Sequence, residues 1–168
     1  MSKITTLSEL YIHELKDLWS ANDQMAKAIE KITPQAQNKK LVSMLKASHK
    51  GIISHTDLIK SLIENQDEES KKAHCKAMEG LVKEAIKHTI DDAPEEGPVL
   101  DAAIIAQYQR MTHYGITGFG TVTAFAKALK LTDDQIELEF AVKDMYKSDE
   151  LMSELAESAV NAEAANES

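Results

Sequence analysis

The residues best placed to do chemistry form a thin polar band in the middle of four apolar repeats. Spacings of three and four link Tyr11, Leu15, Leu18, Asn22, Met25, Ile29 and Ile32 in the first repeat. A second row runs through Leu41, Leu45, Ser48, Ile52, His55, Ile59 and Leu62. The third contains Ile105, Tyr108, Thr112, Gly115, Phe119, Val122, Ala126 and Leu129, and the fourth Leu138, Ala141, Met145, Ser148, Met152 and Leu155. Such rows are the buried faces of packed helices. Their small or polar members fall near mid-helix, the layer in which bundles build metal and cofactor sites.

A di-metal carboxylate centre in that layer takes a Glu from each of two helices and a Glu-x-x-His pair from each of the others. The sequence contains no Glu-x-x-His, and the layer presents Asn22, Thr112, Gly115 and Met145 in place of carboxylates. Hard cations need oxygen-rich, negatively charged ligand sets, so a bound pair would lack both donors and charge balance. The alternative is a single zinc, copper or iron ion held by His55, His113 and Asp144, a softer set.

Each of these residues also has a plainer reading. His55 reads as a buried, hydrogen-bonded imidazole, His113 as a boundary residue, and Asp144 and Asp149 as part of a solvated or inter-subunit face. His13 with Asp17 and Glu84 with His88 have the spacing of surface contacts one helical turn apart. Cys75 has no activating base beside it in sequence and reads as a quiet thiol. No chemistry attaches to Glu79. No Gly-x-Ser-x-Gly elbow, phosphate-binding loop or paired Cys/His arrangement appears, which speaks against hydrolase chemistry.

The elements that position this band are helices. With three prolines and six glycines in 168 residues, the chain has few breaks. Thr6 and Glu9 form a capping box that opens a helix to Ile32. Thr33–Pro34 predicts the start of a second helix, which runs to about Glu64 before the loop "NQDEES". A shorter helix is expected over 71–90, then the loop "DDAPEEGPV", then a long helix over 99–130. Thr132 and Gln135 form another capping box for the last helix, and the tail at 161–168 is expected to fray. The fold is therefore all-α: an up-down four-helix bundle, one domain over 1–160, with a short extra helix in a long crossover. Within "RMTHYGITGFG", Gly118 and Gly120 read as close-approach positions against a neighbouring helix.

Composition narrows the function classes. A net charge of −9 opposes binding to nucleic acid or to an anionic membrane surface. No apolar run is long enough to span a bilayer, and the first ten residues lack a secretory signal, so a cytoplasmic protein is expected. One cysteine can form no internal disulfide and anchors no thiolate metal site alone.

Three stretches, "ELYIHELKDLWSANDQMAKAI", "HCKAMEGLVKEA" and "DAAIIAQYQRMTHYGITGFGTVTAFAKAL", resemble the YciF/YciE family of bacterial stress-associated proteins, in the ferritin-like superfamily. The resemblance covers roughly residues 4–160, and "CKAMEGLVKEA" is its most specific piece. It implies a ferritin-like bundle, often dimeric, with a rubrerythrin-like di-metal site. Carried over residue by residue, that site is largely missing. Where the family has "SAEKQ", the expected glutamate is Asn22. The family's "HLEET" is replaced around Gly51. Its "EHYE" becomes Thr112-His113-Tyr114-Gly115, and its final "EE" falls on Asp144-Met145.

The former-site positions are thus Asn22, Gly51, Thr112, Gly115 and Met145, with His55, His113, Asp144 and Asp149 as remnant metal candidates. The expectation is a non-catalytic, stress-associated structural or interaction protein, homodimeric and without a cofactor. Two alternatives stand beside it: a metalloprotein carrying iron, manganese or zinc, or a module binding a small molecule in the vacated interior.

Overall fold

A computed structural model describes residues 3–66 and 73–166. Helix α1 spans Leu7–Ile32, α2 Lys39–Glu64, α3 Lys76–Ile86, α4 Pro98–Ala128, α5 Thr132–Leu155 and α6 Asn161–Ala165. None of the described helices is long and apolar enough to cross a membrane.

The helix starts follow local chemistry, though not always at the residues the sequence suggested. Thr6 caps α1 as expected: its Oγ1 accepts from Glu9 N at 3.1 Å, and the Glu9 carboxylate accepts from Thr6 N at 3.1 Å. Thr33–Pro34, however, opens only a 3₁₀ turn, Thr33–Gln35. The true cap of α2 is Asn38, whose Oδ1 accepts from Lys40 N and Leu41 N. Thr132 is the first residue of α5 rather than its cap, and Leu131 in the cap position offers no side-chain acceptor. Gly97 precedes α4 at φ 143°, a conformation that favours glycine, and Pro98 then takes the first helical position.

One further expectation is corrected. The crossover helix begins at Lys76, because residues 73–75 run along α1 instead of coiling; Lys71 and Lys72 lie outside the described residues. Ala73 N donates to Lys16 O, Cys75 N to Ser20 Oγ, and Gln24 Nε2 to Cys75 O. Helix α3 ends in a π-helical turn, Lys87–Asp91. In the tail, Asn161–Ala165 is helical and follows a second π-helical turn that contains the buried Val160. Its last two residues lie outside those described.

Neighbouring long helices pack antiparallel in the order α1, α2, α5, α4, with α4 closing back on α1. The crossover through α3 leaves α2 and α4 parallel, and α3 covers α1 and α4. Buried Asp101, at the first turn of α4, accepts from Gln37 N at 2.9 Å and Asn38 N at 2.8 Å. That pins the α1–α2 connection to the foot of α4.

The interior divides into two apolar clusters. One surrounds Met25, Ile29, Leu45, Ile105 and Met152; the other surrounds Tyr11, Leu15, Leu18, Phe119 and Leu138. Burying each such side chain contributes about 1.5–3 kcal/mol. Between the clusters lies the polar band.

Candidate functional site

Of the four rows read from the sequence, only Ser48, His55, Met145, Ser148 and the terminal Leu129 are not buried. The first four line a single cavity of about 220 Å³. It opens between α2 and α5, which touch less extensively than the α1–α2 and α4–α5 pairs.

All five positions that the resemblance assigns to a metal site line this cavity: Asn22 from α1, Gly51 from α2, Thr112 and Gly115 from α4, and Met145 from α5. The glycines differ in how much room they leave. A Cβ on Gly51 would stand 3.7 Å from Asp144 Oδ2, an ordinary contact, and one on Gly115 would stand 3.3 Å from Met145 Sδ. A Cβ on Gly118 would collide with Leu18, so that glycine is a close-approach position as expected. Gly120 is not: nothing lies within 4 Å of where its Cβ would be, because it points away from the neighbouring helices.

Three hydroxyls close a triangle on the cavity wall. Ser48 Oγ and Tyr108 Oη are 2.9 Å apart, Tyr108 Oη and Ser148 Oγ 2.8 Å, and Ser48 Oγ and Ser148 Oγ 3.1 Å. Each can donate once and accept once, so the set satisfies itself. Thr112 is different. It is 3% exposed, and its Oγ1 has no hydrogen-bond partner. Thr33, Thr56, Thr89, Thr121 and Thr123 all donate to the carbonyl one turn back. Leaving a buried hydroxyl unpaired costs about 1–3 kcal/mol.

The remnant metal candidates separate into two pairs. His55 Nε2 lies 3.4 Å from Asp144 Oδ2 at the cavity, its ring tilted against Phe119. Burial pushes the His55 imidazole below its ordinary basicity, and the opposing pull of Asp144 does not overcome it. His113 is not at this site. It pairs with Asp149 at 2.9 Å and lines a separate groove with Glu14 and Arg110. The trio His55, His113 and Asp144 is therefore not assembled, since His113 sits one position off the inward row. Among the described residues, no three of His, Cys, Asp and Glu group closely enough to hold a metal ion. Asp149 is also no solvated surface residue: its side chain is 16% exposed and accepts from His113 and Gln109.

Elsewhere, Asp17 turns from His13 to accept from Tyr114 Oη at 2.9 Å. The same phenol lies 3.0 Å from Cys75 Sγ. Burial raises the Cys75 thiol, which also caps α3 by accepting from Met78 N. Glu79 binds Lys83 and His74, which pull its carboxyl down to about 2. Glu84 and His88 make the expected one-turn contact. The sequence reading missed Met44, Ala47, Lys147 and Leu151 on the cavity wall. They sit off the core rows; Ala47 and Lys147 neighbour Ser48 and Ser148 in sequence, and Met44 and Leu151 lie one helical turn from them.

Residues 6–165 match the family described as "Domain of unknown function (DUF892)". Protein YciF of Escherichia coli (strain K12) is 32% identical, the match spanning 96% of each chain. The crystal structure of the E. coli stress protein YciF is similar at a TM-score of 0.87 and 29% identity, covering 94% of this chain and 99% of that one. YcfI, described as a putative structural protein from Rhodopseudomonas palustris, is similar at a TM-score of 0.84 and 28% identity, covering 90% and 95%.

Proposed function

Since this chain belongs to the DUF892 family, we propose that it is a non-catalytic, stress-associated structural or interaction protein whose ferritin-like metal layer has become a neutral hollow. One observation carries the reading. The five positions that the resemblance assigns to the metal site surround one cavity and bring no carboxylate to it. Among the described residues, Asp144 is the sole carboxylate on its wall, and it is 65% exposed and paired with His55. Two divalent cations bring four positive charges, which this donor set cannot balance. The residues do not fit a di-metal centre.

The relatives' names support the same direction, one being called a stress protein and another a putative structural protein. An interaction role is supported by Ile136, Phe140 and Tyr146, three large apolar side chains exposed on α5 that a homodimer would cover. Elemental analysis of protein purified without chelator from iron- and manganese-supplemented culture tests the reading. Metal well below one ion per chain is expected. Near-stoichiometric iron or manganese, lost on replacing Asp144, would overturn it.

A further inference from the structure

We propose that the cavity between α2 and α5 is a binding site for a small neutral molecule of the simple phenol class, an apolar ring carrying one hydroxyl. This rests on the neutral-hollow reading above, and three observations carry it. The first is size. At about 220 Å³ the space exceeds the void of roughly 150 Å³ that holds benzene in an engineered apolar interior.

The second is the wall. Met25, Met44 and Met145 reach it from three different helices, beside Ile52 and Leu151. Thioethers contact aromatic ring edges favourably and adapt to their shape.

The third is Thr112, a residue of the cavity wall that is nine-tenths buried and whose hydroxyl has no partner. A ligand hydroxyl can donate to it or accept from it, whereas the Ser48–Tyr108–Ser148 triangle needs no outside partner. Charge sets the remaining choice. The wall carries one carboxylate, Asp144, and one ammonium, Lys147, so its charges balance and favour neither an anion nor a cation.

Calorimetric titration of the full-length protein tests this, with p-cresol as probe, toluene as its hydroxyl-free match and 4-hydroxybenzoate as its anionic match. Saturable binding of one p-cresol per chain is expected, about tenfold tighter than toluene, with 4-hydroxybenzoate weakest. Thr112→Val is expected to lower p-cresol affinity to that of toluene and leave toluene unchanged. Gly51→Leu, whose Cβ has room, is expected to fill the hollow and abolish both. Absence of saturable p-cresol binding, or p-cresol affinity undiminished in Thr112→Val, would overturn the proposal. Metal analysis of the same sample separates the two failures. A metal-free protein inert to p-cresol sinks the ligand site alone, and a metal-loaded one sinks the neutral hollow with it.

Discussion

The two halves of the bundle treat buried polar groups in opposite ways. Around Tyr11, Leu18 and Phe119 the helices meet tightly, Leu18 fills the notch left by Gly118, and Tyr11 Oη donates to the buried Asp134 at 2.9 Å. Burial, with Asp134 beside it, raises the Tyr11 phenol far above its usual value and keeps it protonated as that donor. In the neighbouring mid-bundle layer, Gly51 leaves room for a Cβ at ordinary contact distance, Gly115 stands close against Met145, and Thr112 has a hydroxyl with no partner. The first region is a closed core that holds the fold. The second is a hollow whose polar groups outnumber the partners the chain supplies. Glycine and threonine alone do not mark a site; what separates the two regions is whether a neighbouring side chain has filled the gap.

That contrast can be broken most forcefully at Phe119, which is fully buried in the closed half. Phe119→Ala is expected to destabilise the protein by about 3–5 kcal/mol, read by urea unfolding. A loss near zero would mean that the closed half is as loose as the hollow.

The glycines give a smaller test, with a change of sign. Gly118→Ala forces a methyl into Leu18 and is expected to destabilise by about 1–3 kcal/mol. Gly51→Ala meets only an ordinary contact and gains helix propensity, so it is expected to stabilise by about 1 kcal/mol. Equal effects at the two positions would erase the distinction between a filled gap and an open one.

His55 sharpens it by the smallest margin. Its imidazole is held below the ordinary value of 6.5, so the unfolded chain binds its proton first as pH falls. The stabilising contribution of the neutral ring is complete above the unfolded value and is lost as pH drops toward the folded one. Thermal melts are expected to show stability falling with pH below about 6.5, with a shallower fall in His55→Gln. Identical slopes in the two proteins would place the titrating group elsewhere.

Much of this was legible in the sequence because helical periodicity is a local property. The row from Tyr11 to Ile32 is buried at every member, and the interruptions at Asn22, Ser48, Thr112 and Gly115 do converge on one layer. Helix ends were less legible. Thr33 looked like a cap, but its hydroxyl donates to Ile29 O, and Asn38 took the role. Least legible were contacts set by the register between helices. Nothing local says that Asp149 will choose His113, that Asp101 will anchor the α1–α2 connection, or that Ser48, Tyr108 and Ser148 will close a triangle. The second buried face of α4, with Ile104 and Met111, was hidden for a related reason: α3 folds over it from the crossover.

The most direct test of a neutral hollow at mid-bundle is a bromine-edge anomalous difference map from crystals soaked in 4-bromophenol. One bromine peak per chain within the wall of Met25, Ile52 and Met145 is predicted, with the phenol oxygen at hydrogen-bonding distance from Thr112 Oγ1. A cavity without bromine, holding instead a metal ion coordinated by His55 and Asp144, would contradict the account.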